Sequence, residues 1–154
     1  MINTFNISSI SFVIAVTEKR CKLNMKRNKE TLSCIIECTS SEEAKTCGRD
    51  LEIFIKSGDG NSLNWYIGMD YDDVWEIFNK ESMNYISYKF SLSLKEELNK
   101  LINEHTSKTR LVYVQGNKES MDIFDHLDNC KWIQFSLNES SDEDTKVSIW
   151  YEWN

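Results

Sequence analysis

Apolar and polar residues alternate through most of the first third of the chain. Ile10, Phe12, Ile14 and Val16 alternate with Ser9, Ser11, Val13 and Ala15; Cys21, Leu23 and Met25 alternate with Lys22, Asn24 and Lys26; Leu32, Cys34, Ile36 and Cys38 alternate with Ser33, Ile35 and Glu37. A period of two puts each first set on one face of a strand, so three strands with one buried face are expected. Ser40 to Arg49 reads as a polar connection containing Gly48. Beyond it, Leu51, Ile53 and Ile55 and then Leu63, Trp65 and Ile67 flank Gly58, Asp59, Gly60 and Asn61, residue types that accept the positive φ of hairpin turns. A hairpin is expected there.

The pattern then changes to helices between strands. Asp70 is placed to cap a helix whose Val74, Ile77 and Phe78 share a face. Ser93 and Glu96 form a capping box ahead of Leu94, Leu98, Leu101 and Ile102, and Met121, Phe124 and Leu127 suggest a shorter helix from Lys118 to Asp128. Tyr85 to Phe90 reads as a strand. Leu111 to Gln115, apolar at four successive positions, reads as a strand covered on both faces. The end reads as a hairpin, with Ile133, Phe135 and Leu137 on one arm, Val147, Ile149, Tyr151 and Trp153 on the other, and a polar acidic loop from Asn138 to Thr145 between them. Strands first and helices interleaved later predict one α+β domain over 1–154, with a mainly antiparallel sheet of roughly seven to nine strands and about three helices on one side of it.

Length and composition agree with one domain: 154 residues, 40% hydrophobic and without proline, is ample for a single core and carries no linker signal. Net charge changes the picture more. At -7 the chain is unsuited to tracking nucleic-acid phosphates, and its expected macromolecular partner is a basic protein. Charge is uneven: Lys19, Arg20, Lys22, Lys26, Arg27 and Lys29 crowd the start, whereas Glu139, Asp142, Glu143, Asp144 and Glu152 crowd the end. Five cysteines without a scaffold spacing read as reduced thiols, and no apolar run approaches the roughly 18 residues that span a bilayer, so a cytoplasmic protein is expected, without membrane contact.

Candidate chemistry is sparse. His105 falls near the end of the second helix, where a helix C-terminus suits it, and His126 and Cys130 lack a third group to orient them. Cys34 and Cys38 lie on one strand face roughly 13 Å apart, too far to share a metal. Asp59, Asn61 and Asp70 occupy calcium-loop positions, yet Leu63 and Asn64 break that pattern. Asp70, Asp72 and Asp73 are explained by the helix they precede. No catalytic residue, metal ligand or cofactor is expected.

Trp132 and Trp150 lie opposite the apolar sets of the terminal hairpin, where they pair across it or pack beneath helices or, if exposed, sit beside its carboxylates. Aromatic anchors with an acidic rim suit a protein-binding surface. The reading that fits is an acidic binding module that neutralises a basic partner, as an immunity protein or antitoxin blocks a toxin. Its contact residues would be Glu139, Asp142, Glu143, Asp144, Trp150, Glu152, Asp70, Asp72 and Asp73. A phage inhibitor of a host defence complex, or a small enzyme or ligand-binding domain, are the alternatives.

Overall fold

The computed structural model describes residues 1–59, 65, 68–89, 93–104, 108–117, 130, 132–137 and 145–152. Its centre is an eight-stranded sheet of order β1-β2-β3-β4-β5-β8-β6-β7. The strands are β1 (Ile2–Ile7), β2 (Ile10–Thr17), β3 (Arg20–Arg27), β4 (Glu30–Glu37), β5 (Ser82–Lys89), β6 (Thr109–Gly116), β7 (Ile133–Leu137) and β8 (Lys146–Tyr151). Three helices, α1 (Ser41–Ser57), α2 (Tyr71–Ile77) and α3 (Leu94–Glu104), complete the described elements. All strand pairings are antiparallel except β4 with β5 and β6 with β7. The expected α+β class, strand number and mainly antiparallel sheet are present.

The first four strands form a meander with two-residue turns, as the registers Ile7↔Ile10, Thr17↔Arg20 and Arg27↔Glu30 show. Such turns need a left-handed residue, which Ser8, Ser9, Glu18 and Asn28 supply without glycine. The alternation holds: Phe12, Ile14, Cys21, Leu23, Met25, Cys34 and Ile36 are all buried on one face.

Residues 41–57 are helical, which corrects the expected connection and the first arm of the expected hairpin; most of its second arm lies outside the described residues. Leu51, Ile53 and Ile55 do alternate, but Ala44, Cys47, Leu51, Phe54 and Ile55 follow the helical period and are fully buried. The Ser40 hydroxyl caps the start by accepting from the Glu43 N–H at 3.1 Å. Gly48 permits α1 to lie on β2, because a Cβ there would stand 2.6 Å from Val16.

The terminal hairpin is also corrected. β8 does not pair with β7; it enters between β5 and β6, antiparallel to both. An alternation of period two names the buried face of a strand but not its neighbour. β6, flanked by β8 and β7, is interior as expected, with Leu111, Val112, Tyr113 and Val114 all fully buried.

Helices lie on both faces rather than one. Leu111, Tyr113 and Trp150 join the core beneath α1 and α2, whereas Val112, Val114, Val147 and Ile149 pack with Leu94 and Leu98 of α3. The half of the sheet from β5 to β7 is therefore covered twice. The expected helix from Lys118 to Asp128 lies outside the described residues. None of the described helices is long and apolar enough to cross a membrane.

Val112→Asp would place an unpaired charge in the α3 core and is expected to cost on the order of 3 kcal/mol or more. Thermal unfolding checks it; a melting temperature within a degree or two of the parent would show that this core does not support the fold.

Candidate functional site

Of the acidic residues singled out above, the described ones, Asp70, Asp72, Asp73 and Glu152, are each engaged within the fold. Asp70 and Asp73 are consumed in a reciprocal capping box: the Asp73 N–H donates to Asp70 Oδ1 and the Asp70 N–H to Asp73 Oδ2, each at 3.0 Å. Asp72 pairs with Arg27, whose guanidinium also lies over the Trp75 ring, 4.7 Å from its centroid. Glu152, at the far end of β8 from Lys146, pairs with Lys80 at 3.5 Å. The six residues of β8 lie between it and Thr145, about 23 Å along the strand. The basic start is partly neutralised too, since Arg20 pairs with Glu37 at 2.9 Å. Lys22 and Lys26 remain exposed on the face turned away from the core.

Trp150 leaves the set of contact residues. It is fully buried, with its ring 5.0 Å from Tyr85, 6.1 Å from Phe78 and 6.3 Å from Phe54 by centroid. The insertion of β8 into the middle of the sheet turns a would-be hairpin face into the floor under α1. Trp132 is half-buried against the same core.

What sequence reasoning missed is a polar layer between α1 and the sheet. Asp50 of α1 is buried, and its Oδ2 accepts from Tyr85 Oη at 2.7 Å, Ser148 Oγ at 3.1 Å and Lys146 Nζ at 2.6 Å. Gln115 Nε2 reaches Oδ1 at 3.5 Å. At the C-terminal end of α1, Ser57, Tyr113 and Ser136 share hydroxyl hydrogen bonds. Burial, then the adjacent Asp50 charge, push the Tyr85 phenol upward, so it stays a donor. Burial likewise raises Tyr113. The only signal in the sequence was one acid, Asp50, on the apolar face of a helix that was not recognised.

This layer ties α1 to the sheet: Oδ2 of Asp50 is shared by a phenol, a hydroxyl and an ammonium, and Oδ1 faces the Gln115 amide. Beside it an open pocket of about 380 Å³ is lined by Arg49, Ser87, Lys89, Thr145 and Lys146. Arg49 and Lys89 have no ion pair among the described residues. Against an anion there stands Glu43, which accepts from both the N–H and the hydroxyl of Ser87, and Asp144 adjoins Thr145 in the chain.

Further acidic residues lie at the start of α3. Glu96 and Glu97 are exposed on the first turn of α3, and Glu97 stands near enough to Tyr88 to help burial raise that phenol. Leu137 and Thr145 flank the acidic segment, and both meet Gly116: Leu137 by register, Thr145 at 2.7 Å from where a Cβ would lie. Both flanking residues thus stand at the end of the sheet where β5 passes into α3. Its residues Glu139, Asp142, Glu143 and Asp144, like His105 and His126, lie outside the described residues.

No described set of His, Cys, Asp and Glu side chains is arranged to hold a metal ion. All five cysteines are free. Compared with known proteins, the chain matches no family model, no curated protein and no solved structure.

The thiols give a direct check on the interior. Burial pushes Cys34 and Cys130 up to about 12 and Cys47 well above its ordinary value, so none is a thiolate near neutral pH. Alkylation of the unfolded chain without reductant is expected to modify all five. In the native chain Cys38, the half-exposed member of the first four, should react ahead of Cys34 and Cys47. A resistant disulfide, or rapid native labelling of Cys47, would contradict the packing under α1.

Proposed function

We propose that this chain is an acidic protein-binding module that neutralises a basic partner, in the manner of an immunity protein or antitoxin acting on a toxin in a reducing cytoplasm. The observation that carries the reading is the gathering of Glu96 and Glu97 with the two anchors of the segment bearing Glu139, Asp142, Glu143 and Asp144 at one end of the sheet, in a chain of net charge -7. Like charges so placed destabilise a fold unless they are solvated, and a basic surface arriving there gains from all of them together. The free thiols accord with a reducing compartment. A phage-encoded inhibitor of a defence complex draws on the same features, and the identity of the captured protein separates the two. The ligand-binding alternative rests on the Arg49 and Lys89 pocket.

The test begins with capture on the immobilised full chain from lysate of its own host, followed by association kinetics with the captured protein. Replacing Glu96, Glu97, Glu139, Asp142, Glu143 and Asp144 by Gln, Ser or Asn is expected to lower the association rate about tenfold or more at low salt and to flatten its salt dependence, with little change in dissociation. Attraction of this kind is screened over about 8 Å at physiological salt. An unchanged association rate at low and high salt would remove the acidic end from the interface.

A further inference from the structure

Among the described residues, no strand pairs with the outer side of β1. This strand sits at the end of the strand order, runs Ile2–Ile7 without a register shift, and contains no charged residue and no proline. Natural edges are usually protected by such residues, by bulges or by covering elements. The opposite edge has some cover, because Trp65 makes a bridge to Ser136 of β7. Among the described residues, the exposed large hydrophobic side chains are Met1 and Ile2, at 66% and 70%, both at the start of this edge.

The direction of the free backbone groups follows from the pairing with β2. The Val16 N–H donates to the Met1 carbonyl at 3.0 Å, so Met1 and Val16 face each other as a hydrogen-bonded pair. In an antiparallel ladder such pairs alternate, hence Asn3, Phe5 and Ile7 bond to β2 while the N–H and C=O groups of Ile2, Thr4 and Asn6 point outward. A second antiparallel strand must offer its own outward groups. Two copies of β1 satisfy one another when residues of that set face each other, as Ile2 with Asn6 and Thr4 with Thr4.

The flank of α1 selects this register. Glu52 lies beside Asn3, whose Nδ2 donates to Glu52 Oε2 at 3.5 Å, and the Lys56 ammonium stands 4.9 Å from the Phe5 ring centroid. With Thr4 on the two-fold axis, Asn3 of one copy faces Phe5 of the other, which brings Glu52 alongside Lys56 of the second copy. The intrahelical pair Lys56–Glu52, 3.0 Å apart, thereby becomes half of an alternating ring of four charges. A shift by two residues would place Phe5 against Phe5 and Lys56 against Lys56, which repel.

We propose that β1 pairs antiparallel with β1 of a second copy about a two-fold axis at Thr4, joining the two sheets into one and completing a charge ring of Glu52 and Lys56 from both copies. The strand is short, so the interface lies at the small end of the specific range and association depends on concentration. The surplus negative charge of each chain opposes it only through solvent, and salt at physiological strength screens that over about 8 Å.

Sedimentation equilibrium of the full chain over a range of concentrations tests the pairing. The parent is expected to pass from one to two chain masses. Thr4→Pro removes an outward N–H and leaves the β2 ladder intact, so it should stay monomeric while melting close to the parent. Lys56→Glu should weaken dimerisation about tenfold or more, and adding Glu52→Lys should restore it, since the ring is then the same with its signs exchanged. A parent that remains monomeric at about 1 mM, a dimer that survives Thr4→Pro unchanged, or a charge swap that fails to rescue Lys56→Glu would each overturn the proposal, including the case in which the edge takes a strand from another protein instead.

Discussion

One buried carboxylate holds the two halves of this protein in register. Asp50 sits on the core face of α1, and taking a charge out of water costs several kcal/mol unless donors replace the solvent. Those donors come from Tyr85 on β5 and from Ser148 and Lys146 on β8. They reach Asp50 together only when β8 runs beside β5, so the ionic contact and the strand order specify each other. A sheet in which β8 paired with β7, as the local pattern suggests, would leave the Asp50 charge without Ser148 and Lys146.

The position of α1 follows, and much else follows from α1. Gly48 lets the helix settle on β2, and its buried side chains reach from that strand to Trp150 on β8. Its outer flank presents Glu52 and Lys56 beside the free edge of β1. At the other side of the sheet α3 covers Val112, Val114, Val147 and Ile149, and it carries Glu96 and Glu97 to the end where Leu137 and Thr145 meet Gly116. The two surfaces assigned to partners thus lie far apart in the strand order, at an uncovered edge and near the doubly covered half.

The legible parts of the fold were those set by local periodicity and caps. Phe12, Ile14, Leu23, Met25 and Cys34 could be placed on a buried face from spacing alone, and Asp70 could be named as a cap because its chemistry acts within one turn. Residues 41–57 were not legible because Leu51, Ile53 and Ile55 satisfy both periods for a short stretch, and Gly48 reads as a break although it serves close packing. The partner of β8 was not legible either, since an alternating strand carries no mark of its neighbour. For the site, surface carboxylates were visible as composition, but their spending on Arg27, Lys80 and the cap of α2 depends on contacts distant in sequence. Trp150 was weighed as an anchor for the same reason: its burial is decided by the strand order.

The tie between Asp50 and β8 is the claim on which this structure turns, and a double-mutant cycle on Asp50 and Lys146 measures it. Asp50→Ala alone is expected to cost about 3–5 kcal/mol, because it strands buried donors. Lys146→Met alone should cost less, since Tyr85 and Ser148 still hold the carboxylate. The double variant should be more stable than the sum of the two by about 1–3 kcal/mol. Effects that add to within about 0.5 kcal/mol would show that Lys146 does not meet Asp50, and that β8 does not lie between β5 and β6 in this register.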